Sequence, residues 1–320
     1  MRMLVLLSLI LNLKACVHNP WQSEFHKDHP LVGKIYDSKA KRYLTVDELE
    51  LRSLEADLLL FGEVHNNKDH HRIQARFLNS LLKKKKAGAF LLEHLIESQE
   101  DRLQEMSPKE VSIATGETIK WSKGWDDWTW YRGMIALWKE AEGRVVAASF
   151  PRKKAMQIVM SQEQDLISRE ESIDLGFSKA MNKGHRAKLV DIMKKSHCGH
   201  LPKSMEGGMI RVQRLKDAYM AKRVLANQKS DRLNILLAGN GHTRTDWGVP
   251  SYLKKGKAKL KAISISWREV DTERDNPEDY VERSPADYIW WTPVEDIRDP
   301  CEVYKESLKR MKTKGKGHRK

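Results

Sequence analysis

Four side chains carry most of the chemical promise of this sequence: Glu63, His65, Glu93 and His242. Glu63 and His65 close the run Leu58–His65 (LLLFGEVH), and His242 closes Ile235–His242 (ILLAGNGH). Both segments are apolar runs that end in Gly-x-x-His. The apolar part reads as a buried strand, and the glycine lets the backbone turn sharply before polar residues begin. Glu93 ends a third apolar run, Ala89–Leu92. In an open α/β sheet, ligands gather just beyond the carboxyl ends of the strands. The four residues are therefore predicted to converge there, with Glu63 and His65 pointing the same way on an extended chain.

Two histidines and two carboxylates suit two chemistries. All four are candidate ligands for a divalent metal such as zinc or manganese. All four are equally candidate catalytic groups for general acid–base work, a glutamate orienting or activating a histidine. A lone strand-end histidine is more often a satisfied polar residue, and a lone glutamate a cap or salt-bridge partner. Four at matched positions argue for a site. His70, His71 and Gln74 follow on a helix, where one is expected to line the cleft and the others to face solvent. His197-Cys198-Gly199-His200 holds metal-binding residue types but lacks a matching second pair.

The elements that would position these groups alternate between strand and helix. Val46–Leu54 reads as a helix, with Thr45 and Glu48 at capping-box spacing. His70–Leu82 has helical periodicity in Ile73, Phe77, Leu78, Leu81 and Leu82. Strands are predicted at Leu58–Phe61, Ala89–Leu92, Val145–Phe150 and Ile235–Ala238, with Leu260–Trp267 nearer an edge and Tyr288–Trp291 last. A short element is expected near Gly33–Tyr43. This is the pattern of an α/β fold with a mostly parallel central sheet flanked by helices. Residues 95–143 and 156–226 are expected to form a helical cap region. The former is dense in tryptophan.

With 320 residues, of which 40% are hydrophobic, the chain can bury a sizeable core. Its formal net charge is +14, much of it in Lys83–Lys86 and Lys305–Lys320. No zinc-finger spacing or RNP-like aromatic pattern accompanies that charge, so no nucleic-acid partner is expected. Residues 1–15 resemble a signal peptide: Arg2, then an apolar stretch far shorter than the roughly 20 residues a membrane span needs. Leu13-Lys14-Ala15-Cys16 resembles a lipobox, with Lys14 as its departure. It predicts lipidation at Cys16 and a membrane anchor. Nothing after Cys16 looks like an inner-membrane retention signal, which points to a cell-envelope lipoprotein of the outer membrane. Residues 16–32 read as a tether, 33–300 as the α/β domain, and 301–320 as a basic, disordered tail. Cys198 and Cys301 could pair in an oxidising compartment.

Tyr131, Tyr219, Tyr252 and Tyr288 could each ligate a haem iron or simply pack in the core. Trp125, Trp128, Trp130, Met205 and Met209 could wall a porphyrin or do the same. At this point the chain resembles the ChaN-type haem-binding lipoproteins. The resemblance runs from about Gly33 to Pro293. It rests on Gly62–His65 followed by Asp69, His71 and Gln74; on Leu91-Leu92-Glu93; on Trp125–Tyr131; on Phe150-Pro151-Arg152; on His197–Pro202; on Gln213–Ala221; and above all on Gly239–Pro250 (GNGHTRTDWGVP). It implies a Tiki-like superfamily fold, shared with metal-dependent proteases and erythromycin-esterase-like hydrolases, and a surface-anchored lipoprotein that binds haem for iron acquisition. It also implies tyrosine ligation of the iron and a homodimer around haem, and an outer-membrane haem receptor would be a natural partner.

Two functions therefore compete. In the first, the chain captures haem, with His71, Gln74, Arg152 and Arg244 as candidate cofactor-binding residues. Basic side chains suit the anionic propionates. In the second it is a metal-dependent or His/Glu-dependent hydrolase, an esterase or peptidase, using Glu63, His65, Glu93 and His242.

Overall fold

The computed structural model describes residues 21–121, 127–160, 168–255, 260–303 and 305. The expected signal peptide, Cys16, Trp125 and most of the basic tail lie outside the described residues.

Eight strands form one sheet: β1 (Ile35–Asp37), β2 (Arg42–Leu44), β3 (Leu58–Glu63), β4 (Ala87–Ile96), β5 (Arg144–Ser149), β6 (Leu233–Gly239), β7 (Ala262–Glu269) and β8 (Tyr288–Thr292). Their order is β2-β1-β8-β7-β3-β6-β4-β5. The six strands from β8 to β5 in that order run parallel, and β1 joins β2 and β8 antiparallel. Thirteen α-helices accompany them among the described residues: α1 (Val46–Leu54), α2 (Lys68–Leu82), α3 (Glu97–Glu105), α4 (Thr115–Thr118), α5 (Trp128–Glu140), α6 (Arg152–Met160), α7 (Arg169–Asp174), α8 (Lys183–Ser196), α9 (Lys203–Asn227), α10 (Asn240–Thr243), α11 (Val249–Lys255), α12 (Pro277–Arg283) and α13 (Pro300–Val303).

Every residue of β3 is buried, as a parallel strand covered on both faces requires. Its side chains alternate. Leu59 and Phe61 join Phe90, Leu92, Phe77, Trp138 and Trp267 on one face. Leu58 and Leu60 join Ala89, Leu91, Leu215 and Val224 on the other. The helices expected as one cap are divided between these faces. Residues of α5 pack with α2 on the first, and α6, α9 and α11 cover the second.

Helix α1 has the predicted bounds, and both capping-box bonds are made: Glu48 N donates to Thr45 Oγ1 at 3.2 Å and Thr45 N to Glu48 Oε2 at 2.8 Å. The placement of Leu260–Trp267 nearer an edge is corrected, because β7 lies between β8 and β3. Its alternating serines face protein rather than water. Ser264 Oγ donates to Thr243 O at 2.7 Å and Ser266 Oγ to Asn240. The tether is corrected as well, since from Trp21 onward the chain is docked. The backbone N–H groups of Gln22 and Ser23 donate to the Asp69 carboxylate, Phe25 pairs with Val294, and Leu31 is buried. Cys198 and Cys301 form a disulfide.

Candidate functional site

Parallel strands β3, β4 and β6 bring their carboxyl ends to one edge of the sheet. At the end of β3 a glycine is required. A Cβ on Gly62 would sit 2.3 Å from Thr243 Oγ1 and 2.4 Å from Asn240 Oδ1, so α10 could not close over the strand. The chain then turns into α2, capped by Asn67, whose Oδ1 accepts from His70 N at 3.0 Å. His70 is buried, and its Nδ1 accepts the Val64 N–H at 3.0 Å. That bond fixes the turn carrying His65.

On the face of α2 and α5, Glu63 is the centre. Its Oε1 lies 3.0 Å from His65 Nδ1 and 3.3 Å from His94 Nε2, and it accepts the Tyr131 hydroxyl at 2.9 Å. The two ring nitrogens are 3.1 Å apart. His71 Nδ1 stands 3.5 Å from Glu63 Oε2, and its Nε2 donates to His65 O at 2.7 Å. Burial would raise the Glu63 carboxyl, but His71, His65 and His94 outweigh it and hold the group well below the ordinary range. Burial pushes His94 down. Trp121 stacks on His94 and Trp130 on His71, and both tryptophans are half-buried.

On the opposite face, Glu93 is the centre. Lys216 Nζ lies 3.2 Å from its Oε1 and His242 Nε2 3.1 Å from it, while Gly239 N donates to Oε2 at 3.0 Å. His242 Nδ1 donates to Asp217 Oδ1 at 2.6 Å, with the Gln213 amide 3.1 Å away. Burial disfavours charge on His242, yet the flanking Glu93 and Asp217 carboxylates raise it to about 9. Glu93, which burial alone would raise, is held well below its ordinary range by His242 and Lys216. Asp217 is pushed up to about 6 by burial, against the pull of His242. The group is thus an imidazolium held between two carboxylates.

His65 joins the two groups around the sheet edge. Its Nδ1 faces Glu63 and its Nε2 lies 3.9 Å from Glu93 Oε2. A Cβ on Gly239 would sit 2.9 Å from His65 Nε2, so the bare backbone there leaves the ring its place. Burial lowers His65, but Glu63 and Glu93 outweigh it and raise the ring. Its side chain is 30% exposed, against 0% for Glu63 and His94.

The four strand-end residues do converge, but as parts of two groups. Among the described residues, the group that could share one metal ion is Glu63, His65 and His94, through Glu63 Oε1, His65 Nδ1 and His94 Nε2. Glu93 and His242 pair with Lys216 and Asp217 instead. Separations of 3.0 to 3.3 Å within that trio are close to the ~3.4 Å edge of a tetrahedron whose donors lie about 2.1 Å from zinc.

The expected cofactor residues are placed differently. His71 and Gln74 are buried, not at a cleft surface. Arg244 is 3% exposed; it makes a two-point pair with Asp246 and lies over the Trp247 ring. Its charge is neutralised where it stands. Arg152 is exposed at the start of α6, three residues past β5. The four weighed tyrosines are buried, with Tyr131 bonded to Glu63, Tyr219 to Glu97 and Tyr288 to Arg52.

Sequence reasoning missed His94, Asp217 and Lys216. Gln213, Lys216 and Asp217 stand at i, i+3 and i+4 on α9, a spacing that puts them on one face.

A family model described as haem-binding uptake, Tiki superfamily, ChaN matches residues 51–253. No curated protein matches the chain. Among solved structures, ChaN of Campylobacter jejuni with cofacially bound haem superposes with a TM-score of 0.63 at 22% identity, over 80% of this chain and 95% of that one. That likeness shows a shared fold. Weaker likenesses are to the type III effector HopBA1 (TM-score 0.40, 13% identity, 78% of this chain and 93% of that one) and to erythromycin esterase EreC in its open conformation (0.41, 16%, 71% and 74%).

Proposed function

Because the chain belongs to the haem-binding uptake family of the Tiki superfamily, the ChaN family, we propose that it binds haem for iron acquisition as a lipoprotein anchored through Cys16 to the outer membrane. The family match across residues 51–253 carries the reading. The described tyrosines weighed as ligands turn inward, whereas His65 is part-exposed at the strand ends, next to His94 and His71, on which the half-buried Trp121 and Trp130 stack. An imidazole donor beside aromatic walls is a set that haem accepts. We place the haem over these strand ends, with the exposed Arg152 as a cation for its propionates. The Campylobacter relative holds haem cofacially. By analogy, two copies of this chain would meet across their haems, and a haem receptor of the outer membrane would be the partner in transfer.

The test is a haemin titration of the full chain, followed in the Soret region, beside His65→Ala. Saturable binding at fixed stoichiometry that weakens in the variant supports the reading. An unsaturable rise overturns haem binding. Saturable binding unchanged in the variant moves the site elsewhere.

The Glu63, His65 and His94 trio favours a second role for the same edge, that of holding a divalent ion. Such an ion would act as a Lewis acid toward a bound oxygen. Around it Tyr131 would keep the Glu63 carboxylate oriented, and the charged His242 beside Glu93 would hold a proton at Nε2. Metal analysis after dialysis, against Glu63→Gln and His94→Ala, decides it: stoichiometric metal lost in both variants is required.

A further inference from the structure

We propose that the face formed by α1, β2 and the amino-terminal half of α2 rests against a lipid surface. This rests on the reading of Cys16 as the lipidated residue. Five residue steps separate Cys16 from Trp21, and even fully extended they span no more than about 18 Å. The chain has no slack after that point. Gln22 and Ser23 are held by Asp69 at the start of α2, Ser23 Oγ donates to Glu295 at 2.9 Å, and Phe25 is paired with Val294. The acyl chains on Cys16 must therefore enter the bilayer beside Trp21, and the protein surface next to Trp21 must lie within that reach of the headgroups.

That surface has the composition of a membrane-contacting one. Trp21 lines an open groove of about 440 Å³ together with Val46, Ile73, Phe77 and Trp290, and with charges of both signs: Asp47, Glu50, Arg76, and Arg72 paired to Asp69. Around it, exposed apolar side chains stand on neighbouring elements: Tyr43 (44% exposed), Val46 (43%) and Leu51 (63%). Lys34 lies over the Tyr43 ring at 5.1 Å, and Arg76 is exposed. Exposed aromatic and aliphatic groups set among charged side chains suit the boundary between headgroups and acyl chains. The same placement turns α8, on the far side of the sheet, away from the bilayer.

The experiment uses the full lipidated chain in vesicles of phosphatidylethanolamine and phosphatidylglycerol. With Cys16 acylated and Cys198 joined to Cys301, a cysteine placed by Leu51→Cys is the one free thiol. It takes an environment-sensitive fluorophore. Ile192→Cys, on α8 and 43% exposed, is the control. The expected result is a blue shift and loss of most emission to a lipid-borne quencher at position 51, and neither at position 192. Equal responses, or a stronger one at 192, overturn the assigned face while leaving the anchor intact. A concentration-dependent shift at 51 before vesicles are added assigns the face to contact between copies and overturns the lipid reading. Absence of acyl mass on Cys16 in the intact-protein mass spectrum overturns the anchor and this inference together.

Discussion

His70 should make the protein measurably acid-sensitive. The ring is fully buried, its Nδ1 accepts the Val64 N–H, and its Nε2 carries the proton that bonds to Thr292 Oγ1 at 3.0 Å. Charging the ring would convert Nδ1 from acceptor to donor and set two donors against each other. Burial, reinforced by the neighbouring His71 and only partly offset by Glu63, pushes His70 down to about 3. The unfolded chain takes up a proton there near pH 6.5, and the folded chain does not until near pH 3. Stability from this residue is therefore present in full above about pH 6.5 and falls as the pH drops toward 3. At about 1.4 kcal/mol per pH unit the whole fall is about 5 kcal/mol, with about 2 kcal/mol already gone at pH 5. That is a large part of a typical domain stability. The assay is urea unfolding at a series of pH values, beside His70→Asn. Asparagine can still accept from Val64 and cannot charge. The variant should be less stable at neutral pH by about 1–3 kcal/mol for the lost Thr292 partner, and should lose less on acidification, so the two curves converge. Parallel curves would refute the reasoning.

Three further outcomes follow from the same geometry. Gly239→Ala places a methyl 2.9 Å from His65 Nε2; the fold should survive with a loss of about 1–3 kcal/mol, while haemin affinity falls because the ring is displaced. Asp217→Asn removes one of the two carboxylates that hold His242 charged, so the His242 ring should titrate below about 9 by NMR, with about 3–5 kcal/mol lost in unfolding experiments. The Cys198–Cys301 bridge spans 103 residues; Cys301→Ser should lower stability by up to about 4–5 kcal/mol, and a reductant should change the wild type but not the variant.

Much of the fold was legible because local rules and burial agree. The Thr45/Glu48 capping box starts α1, and uninterrupted apolar runs mark the strands that are covered on both faces. The placement of β7 was not legible. Buried serines that bond to α10 look, in sequence, like the polar half of an exposed strand. Of the site, the strand-end residues could be read, but not their grouping. Glu93 and His94 are adjacent on β4 and so turn to opposite faces, one to each group. Which carboxylate meets which ring depends on helices that follow much later in sequence. Asp217 was hidden because a polar trio on a helix reads as a solvent face. Arg244 could have been read better, since Asp246 two residues on is a ready partner.

The position of β3 bears on when the sheet can form. This strand is among the first long apolar elements to be synthesised, yet its two neighbours come from the last third of the chain: Leu59 pairs with Ile235, and Leu58 with Ala262. Until residues 233–239 have emerged both edges of β3 stay bare, and until residues beyond 260 have emerged one of them still does, so the sheet cannot close. The nascent chain must therefore be held open for most of its synthesis. Pairings so distant are slow to find and leave sticky strands exposed in the interval. A fragment ending before β6 would be expected to aggregate rather than fold.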